Sequence, residues 1–198
     1  SIYQTKLPVT FLLAKNKIDM LRFSGQSKGG NTGLGGIYIS SSSMDEGVIT
    51  HELSHHYLHH SIDRATSILP RWFDEGLATY LGHSDSMTRF TQPKQLQKLI
   101  NDKNYPKDLD YWNGFKGHLR WMKQIYTGGY VTNMYTHSYF LVRFLTEEYG
   151  QENLQSLIQE MKASPSFENA FQKVYGVSTH EFGQIFWNFA QQDIDWEL

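Results

Sequence analysis

The run "THELSHHYLHH", residues 50–60, gathers five of the chain's nine histidines into eleven positions. On a helix turning about 100° per residue, Ile49, Leu53 and Tyr57 form an apolar stripe expected to face a core. His51 and His55 stand one turn apart on a different face, so both imidazoles can reach one cation. Glu52 lies about 60° round from His55, close enough to address a water there without ligating the ion. His-Glu-x-x-His therefore suits metal-assisted hydrolysis: two neutral ring nitrogens hold Zn²⁺ and the carboxylate takes a proton from water. His59 falls on the same face, which keeps a plain three-histidine stripe as the competing reading. His56 and His60 fall towards the apolar side as boundary residues.

Working outward, "SMDE" (43–46) reads as a capping box that opens this helix, which should run to about Ser61. A second helix is bounded by Pro70 and Gly82, and later ones are expected near 93–102, 132–149, 151–162, 166–175 and 178–192. Gly150 and Gly176 sit where helices end, and "STHE" (178–181) is a second capping box. Before residue 43 the character changes. "PVTFLLA" (8–14) and "GIYIS" (36–40) read as strands, joined by the glycine-rich "SGQSKGGNTGLGG" as a plain hairpin loop with no phosphate-binding pattern. The expected class is α+β: a small N-terminal sheet, with 1–42 mainly β, followed by a mainly helical part over 43–198.

A catalytic zinc needs a third protein ligand and an open position. The pattern that adds a third histidine six residues after the second fails here, because its glycine position is Leu58 and its histidine position is Ser61. The other route is a glutamate from the next helix. "LPRWFDEGLATYL" (69–81) offers Glu75, with nineteen residues between it and His55, flanked by Trp72, Phe73 and Leu77. A carboxylate in such company needs a partner, and a metal is a good one. Asp63, Asp74 and Thr79 are all close enough in sequence to accept from the histidine N–H groups.

Composition narrows the rest. The 198 residues carry a net charge of -2 with scattered Lys and Arg, so no basic stripe predicts nucleic-acid binding. No apolar run is long enough to span a membrane. There are no cysteines, so a transition metal must be held by His and carboxylates.

"HELSH" (51–55), "WFDEGLATYL" (72–81) and "MYTHSYFLVRFLTEEYG" (134–150) together resemble the gluzincin metallopeptidases, the thermolysin-like and aminopeptidase-N-like group with a peptidase-MA-type core. "SFENAFQKVYGVSTHEFGQIFWNFA" (166–190) is similar to the closing helices of such domains. The resemblance implies a zincin-like fold in one catalytic domain over 1–198, with one Zn²⁺ on His51, His55 and Glu75. It also implies Glu52 as general base, Tyr135 as donor to the oxyanion, and a peptide or protein substrate. Tyr130, Tyr139, His137 and His118 are rivals for the oxyanion or substrate contacts. Small peptidases of this kind are often exported, which favours a bacterial secreted or cell-envelope setting.

One departure stands out. Aminopeptidase-N-like enzymes carry Gly-x-Met-Glu-Asn before the zinc helix, and the glutamate grips the substrate's amine. The corresponding "GLGGIYIS" (33–40) has none, which favours an endopeptidase. Strand 36–40 is expected to be the edge beside the cleft, where an extended peptide could add as a strand. The alternative from another class is a non-catalytic zinc-containing domain that binds peptide or protein. "YWNGFKGHLRWMKQIYTGGY" (111–130) could be a substrate wall, a partner surface or aromatic core.

Overall fold

In the computed structural model, residues 8–24, 30–33, 36–62, 69–83, 88–101, 106, 108–126, 131–164 and 166–192 are described. The chain opens with β1 (Phe11–Ala14), α1 (Lys17–Ser24), β2 (Gly30–Gly33) and β3 (Gly36–Ser40). The helical part follows: α2 (Glu46–Ile62), α3 (Arg71–Leu81), α4 (Thr88–Thr91), α5 (Pro93–Asn101), α6 (Gly114–Tyr126), α7 (Val131–Tyr149), α8 (Gln151–Ala163), α9 (Phe167–Tyr175) and α10 (Thr179–Ala190). The class is α+β. Among the described residues, no helix is long and apolar enough to cross a membrane.

The sheet corrects the expectation of a simple hairpin. Its order is β1-β3-β2, with β1 parallel to β3 and β2 antiparallel to it. Parallel neighbours need a crossover, and α1 supplies part of it. Asn16 starts that helix by accepting from the amides of Ile18 and Asp19 at 2.9 and 3.0 Å. Strand 36–40 is therefore the centre of the sheet, not its edge. The edge beside the helical part is β2, drawn from the glycine-rich segment, whose Gly30–Gly33 pair with Ile39–Gly36.

α2 lies between the sheet on one side and α3 on the other, and that sandwich explains a second correction. Ile49, Leu53 and Tyr57 are only half-buried, whereas His51, Glu52, Ser54 and His55 are buried along with Leu58 and Ile62. The polar face of α2 is turned inward because β2 and α3 cover it. Nor is "SMDE" the cap: Ser43 sits in a short 3₁₀ turn, and the Asp45 carboxylate accepts from the amides of Gly47 and Val48 at 2.9 and 3.1 Å. An aspartate there also suits the positive end of the helix. The second capping box forms as expected, with Ser178 and Glu181 exchanging both hydrogen bonds. Gly176 ends α9 in the left-handed region at φ 75°.

The core sits under α3, α7, α8, α9 and α10. Trp72 and Phe73, fully buried on α3, meet Phe167, Phe171 and Phe182 with ring centroids 5.0–6.2 Å apart. Fully burying side chains of this kind contributes about 1.5–3 kcal/mol each. α3 crosses α7 so closely that a Cβ on Gly76 would run into the Ser138 carbonyl and come within 2.8 Å of Val142 Cγ2. Packing one face of α3 this tightly leaves Asp74 and Glu75 pointing the other way, towards α2.

Among residues 111–120 the aromatic-core reading holds for Trp112 and not for the exposed face of α6. Trp112 is buried in a short 3₁₀ turn, but Phe115 and Leu119 on α6 are 75% and 51% exposed. Asp63, Tyr130 and most of the glycine-rich stretch lie outside the described residues.

Candidate metal centre

Four elements assemble the centre. α2 brings His51, Glu52, His55 and His59; α3 brings Asp74 and Glu75; β2 brings Gly30 and Thr32; α7 brings Tyr135. All of them line one cavity of about 220 Å³, together with Asn31, Arg71 and His118. The five residues singled out in the sequence thus stand around a single space.

His51 Nε2 and His55 Nε2 are 3.2 Å apart, and each lies 3.5 Å from Glu75 Oε2. These are the separations of ligands around one ion: donor atoms about 2.0–2.2 Å from zinc at tetrahedral angles stand about 3.3–3.6 Å from one another. Asp74 fixes the polarity of the trio. Its carboxylate can only accept, so the 2.8 Å contact to His55 Nδ1 makes that nitrogen the donor. In the neutral ring the Nε2 lone pair then points at His51 and Glu75. Glu75 Oε2 is buried with no hydrogen-bond partner. Two nitrogens and an unsatisfied carboxylate oxygen aimed at one point need a positive charge between them. The residues present therefore fit a divalent cation.

The electrostatics lead to the same place. Burial works against charge on His55, but the charges of and hydrogen bonds to Asp74 and Glu75 outweigh it and hold its pKa well above the ordinary value. Burial would raise Glu75; the His51 and His55 imidazoles beside it bring it well below the usual carboxylate range. Asp74 is likewise held low against its burial by His55 and His59.

Asp74 is the acceptor that the sequence left among three. Thr79 is committed elsewhere, its hydroxyl donating to the Glu75 carbonyl at 2.7 Å. His59 does not join the trio: its Nε2 meets the same Asp74 oxygen as His55, Oδ1, at 3.0 Å, and His55, His59 and Asp74 form a second group that could hold an ion. His56 and His60 pair with each other, rings 4.2 Å apart, away from the centre. His137 and Tyr139 are buried within α7 and do not line the cavity, whereas His118 does.

Thr32 and Gly30 had no signal in the sequence beyond their glycine-rich surroundings. The Thr32 hydroxyl lies 2.7 Å from Glu52 Oε2 and 2.9 Å from the Glu52 carbonyl. A Cβ on Gly30 would stand 2.6 Å from Glu52 Oε1, so only glycine lets β2 approach the carboxylate so closely. Tyr135 is half-buried; its ring centroid is 6.1 Å from that of His51 and 4.9 Å from that of Phe90.

Comparison with known proteins adds one relative. The chain is 23% identical over 146 residues to "Uncharacterized protein YhcO" of Bacillus subtilis (strain 168), covering 70% of this chain and 39% of that protein. The chain thus matches well under half of the relative's length. No protein-family model matches, and no solved structure matches.

Proposed function

We propose that this chain is a zinc-dependent peptidase of the gluzincin type with a zincin-like fold, acting on peptide or protein substrates as an endopeptidase rather than an aminopeptidase. The observation that carries the reading is the convergence of His51 Nε2, His55 Nε2 and Glu75 Oε2 at 3.2–3.5 Å, with Glu52 and Tyr135 on the same cavity. One zinc per chain would be held by these three residues.

Zinc in such a site supplies a Lewis acid that brings the pKa of water down to about 7. The chain's own groups do the remaining work. Glu52, held by Thr32, accepts the proton of the attacking water as its oxygen bonds to the peptide carbonyl carbon. The same carboxyl then hands that proton to the amine nitrogen as the C–N bond breaks. The Tyr135 hydroxyl donates to the carbonyl oxygen as negative charge develops there. β2 is an edge of the sheet among the described residues and lines the cavity, so an extended peptide could add to it as a further strand.

The competing reading, a non-catalytic zinc-containing binding domain, is disfavoured by the composition of the cluster. A structural zinc is closed by four protein ligands. Here the trio comprises three among the described residues, and His59, the nearest fourth histidine, is turned to Asp74. A structural site also has no use for Glu52 at its rim.

The test combines zinc content with cleavage of a mixed peptide library by the native protein and Glu52→Gln. One zinc in each, with internal cuts only by the native protein, is the expected result. Zinc in both without cleavage would favour the binding domain, and absence of zinc would remove the reading altogether.

A further inference from the structure

We propose that His59 Nε2, Asp74 Oδ1 and His55 Nδ1 form a second, weaker site for a transition-metal ion, and that filling it slows the chemistry of the inner trio. The site itself does not depend on the peptidase reading; its effect on turnover rests on that reading.

The three atoms already stand together. Asp74 Oδ1 lies 2.8 Å from His55 Nδ1 and 3.0 Å from His59 Nε2, and the three residues each offer one ligand atom within 4.8 Å of the others. His55 and His59 are one turn apart on α2, with ring centroids 5.7 Å apart, so both reach the same carboxylate on α3. Ligands about 2.0–2.2 Å from an ion at tetrahedral angles stand about 3.3–3.6 Å from one another, so the two Asp74 contacts need to open by less than about 1 Å.

The order of filling follows from what each group lacks. In the inner trio, Glu75 Oε2 is buried with no hydrogen-bond partner, and a cation there answers an open need. In the outer group the Asp74 oxygen is met by two ring nitrogens, so an ion must replace the protons of those contacts, which pass to solvent. The outer site is therefore the weaker. His55 then bridges the two ions, Nε2 inward and Nδ1 outward.

The outer pair also has its own approach. A second cavity of about 470 Å³ is lined by the half-buried His59 and Asp74 but, among the described residues, not by His51, Glu52 or His55. An ion arriving from the α6 side meets the outer pair first. Two imidazoles and a carboxylate suit Zn²⁺, Co²⁺, Ni²⁺ or Cu²⁺, whereas Mg²⁺ and Ca²⁺ require a shell of oxygens. The oxygen that the outer ion takes is the one that orients His55. Loss of such an acceptor typically costs about 10- to 100-fold in metal affinity or activity.

The experiment titrates metal-free protein with Zn²⁺ in a calorimeter, for the native chain, His59→Gln, His59→Asn and His60→Gln. Cleavage of the mixed peptide library is followed over the same range, each protein scaled to its own rate at one equivalent. Native protein should take up a second, weaker equivalent, and its rate should fall by about 10- to 100-fold as that equivalent fills. Both His59 variants should lose the second equivalent and the inhibition while keeping the first. His60→Gln, on the neighbouring histidine pair, should keep both, and neither Mg²⁺ nor Ca²⁺ should replace the second zinc. A single equivalent in native protein, or a second one that survives in the His59 variants or is lost in His60→Gln, would overturn the site and leave the peptidase reading standing. A second equivalent lost in the His59 variants, in protein that cuts nothing, would uphold the site and overturn the peptidase reading. Filling with no fall in rate would overturn the control of turnover.

Discussion

The Asp74 carboxylate stands 2.8 Å from Nδ1 of His55, on the opposite side of the ring from the nitrogen that faces Glu75. It thereby sets which His55 nitrogen carries the proton and holds the ring in the plane that ligation needs. Removing such an orienting acceptor typically lowers metal affinity about 10- to 100-fold. Asp74→Asn is expected to do so in a chelator competition, while His59→Gln, which contacts the same carboxylate oxygen but is no ligand in the trio, stays within about threefold of native. Equal affinities for Asp74→Asn and native protein would mean that the ring is oriented by packing alone.

Glu52 is the proposed base, and Thr32 is its partner from another element. Glu52→Gln should retain zinc and lower kcat by about 10²- to 10⁴-fold. Thr32→Val keeps the shape and removes the hydroxyl that lies 2.7 Å from the carboxylate, and is expected to lower kcat by about tenfold with KM nearly unchanged. Thr32→Ser should restore most of the loss. If Thr32→Val and Thr32→Ser behave alike, Thr32 acts through strand packing and not through its hydroxyl.

Tyr135 reaches the cavity from α7, independently of both α2 and α3. Tyr135→Phe leaves the ring against Phe90 and deletes only the donor. The expected outcome is a fall in kcat of about 10²- to 10³-fold at unchanged zinc affinity and unchanged melting temperature. A loss confined to KM would assign the hydroxyl to substrate binding instead.

What was legible in the sequence is whatever depended on local spacing. His51 and His55 at one turn, Ser178 and Glu181 in a capping box, and Gly176 at a helix end are written in a few adjacent residues. α1 was missed, because 1–42 was expected to be mainly β and the helix is only eight residues long, started by Asn16. β2 was not legible, because Gly-Asn-Thr-Gly has little intrinsic strand preference and becomes a strand only by pairing with β3. The placement of strand 36–40 at the edge failed for the same reason: which strand is central depends on a partner recruited from unpromising residues. Ile49, Leu53 and Tyr57 misled because helix amphipathicity assumes one wet face, and α2 has covers on both sides. Arg71, Thr32 and Gly30 join the site through contacts between elements, which no spacing along one segment encodes.

The same cluster sets how stability follows pH. His55 has a raised pKa in the metal-free protein, so its contribution is complete below about pH 6.5 and is lost as pH climbs through the raised value. Asp74 and Glu75 are held low, so theirs is present above about pH 4 and is lost as pH falls through the lowered values. Metal-free protein should therefore melt at a higher temperature at about pH 6 than at about pH 8.5. Zinc must displace the His55 proton, so its affinity and the rise in Tm that it produces should both be larger at about pH 8.5. The opposite trend in metal-free Tm, lost again in His55→Gln, would mean that the raised pKa of His55 does not stabilise the cluster.

Gly76 links this chemistry to the core, because it follows Glu75 directly and is the point where α3 rests on α7. A Cβ there would meet the Ser138 carbonyl and come within 2.8 Å of Val142 Cγ2. A backbone carbonyl in a helix cannot turn away as a flexible side chain can, so α3 itself must move. Gly76→Ala gains helix propensity but overpacks this contact, and the overpacking should dominate at about 1–3 kcal/mol. In urea the midpoint should fall at unchanged m. Zinc affinity should fall too, since Glu75 is displaced with its helix. Gly33→Ala, whose nearest neighbour would be Tyr38 at 3.7 Å, is the control expected to change neither. If Gly76→Ala is as stable as native and still loses zinc, α3 shifts without strain, and the close approach serves only to aim Glu75.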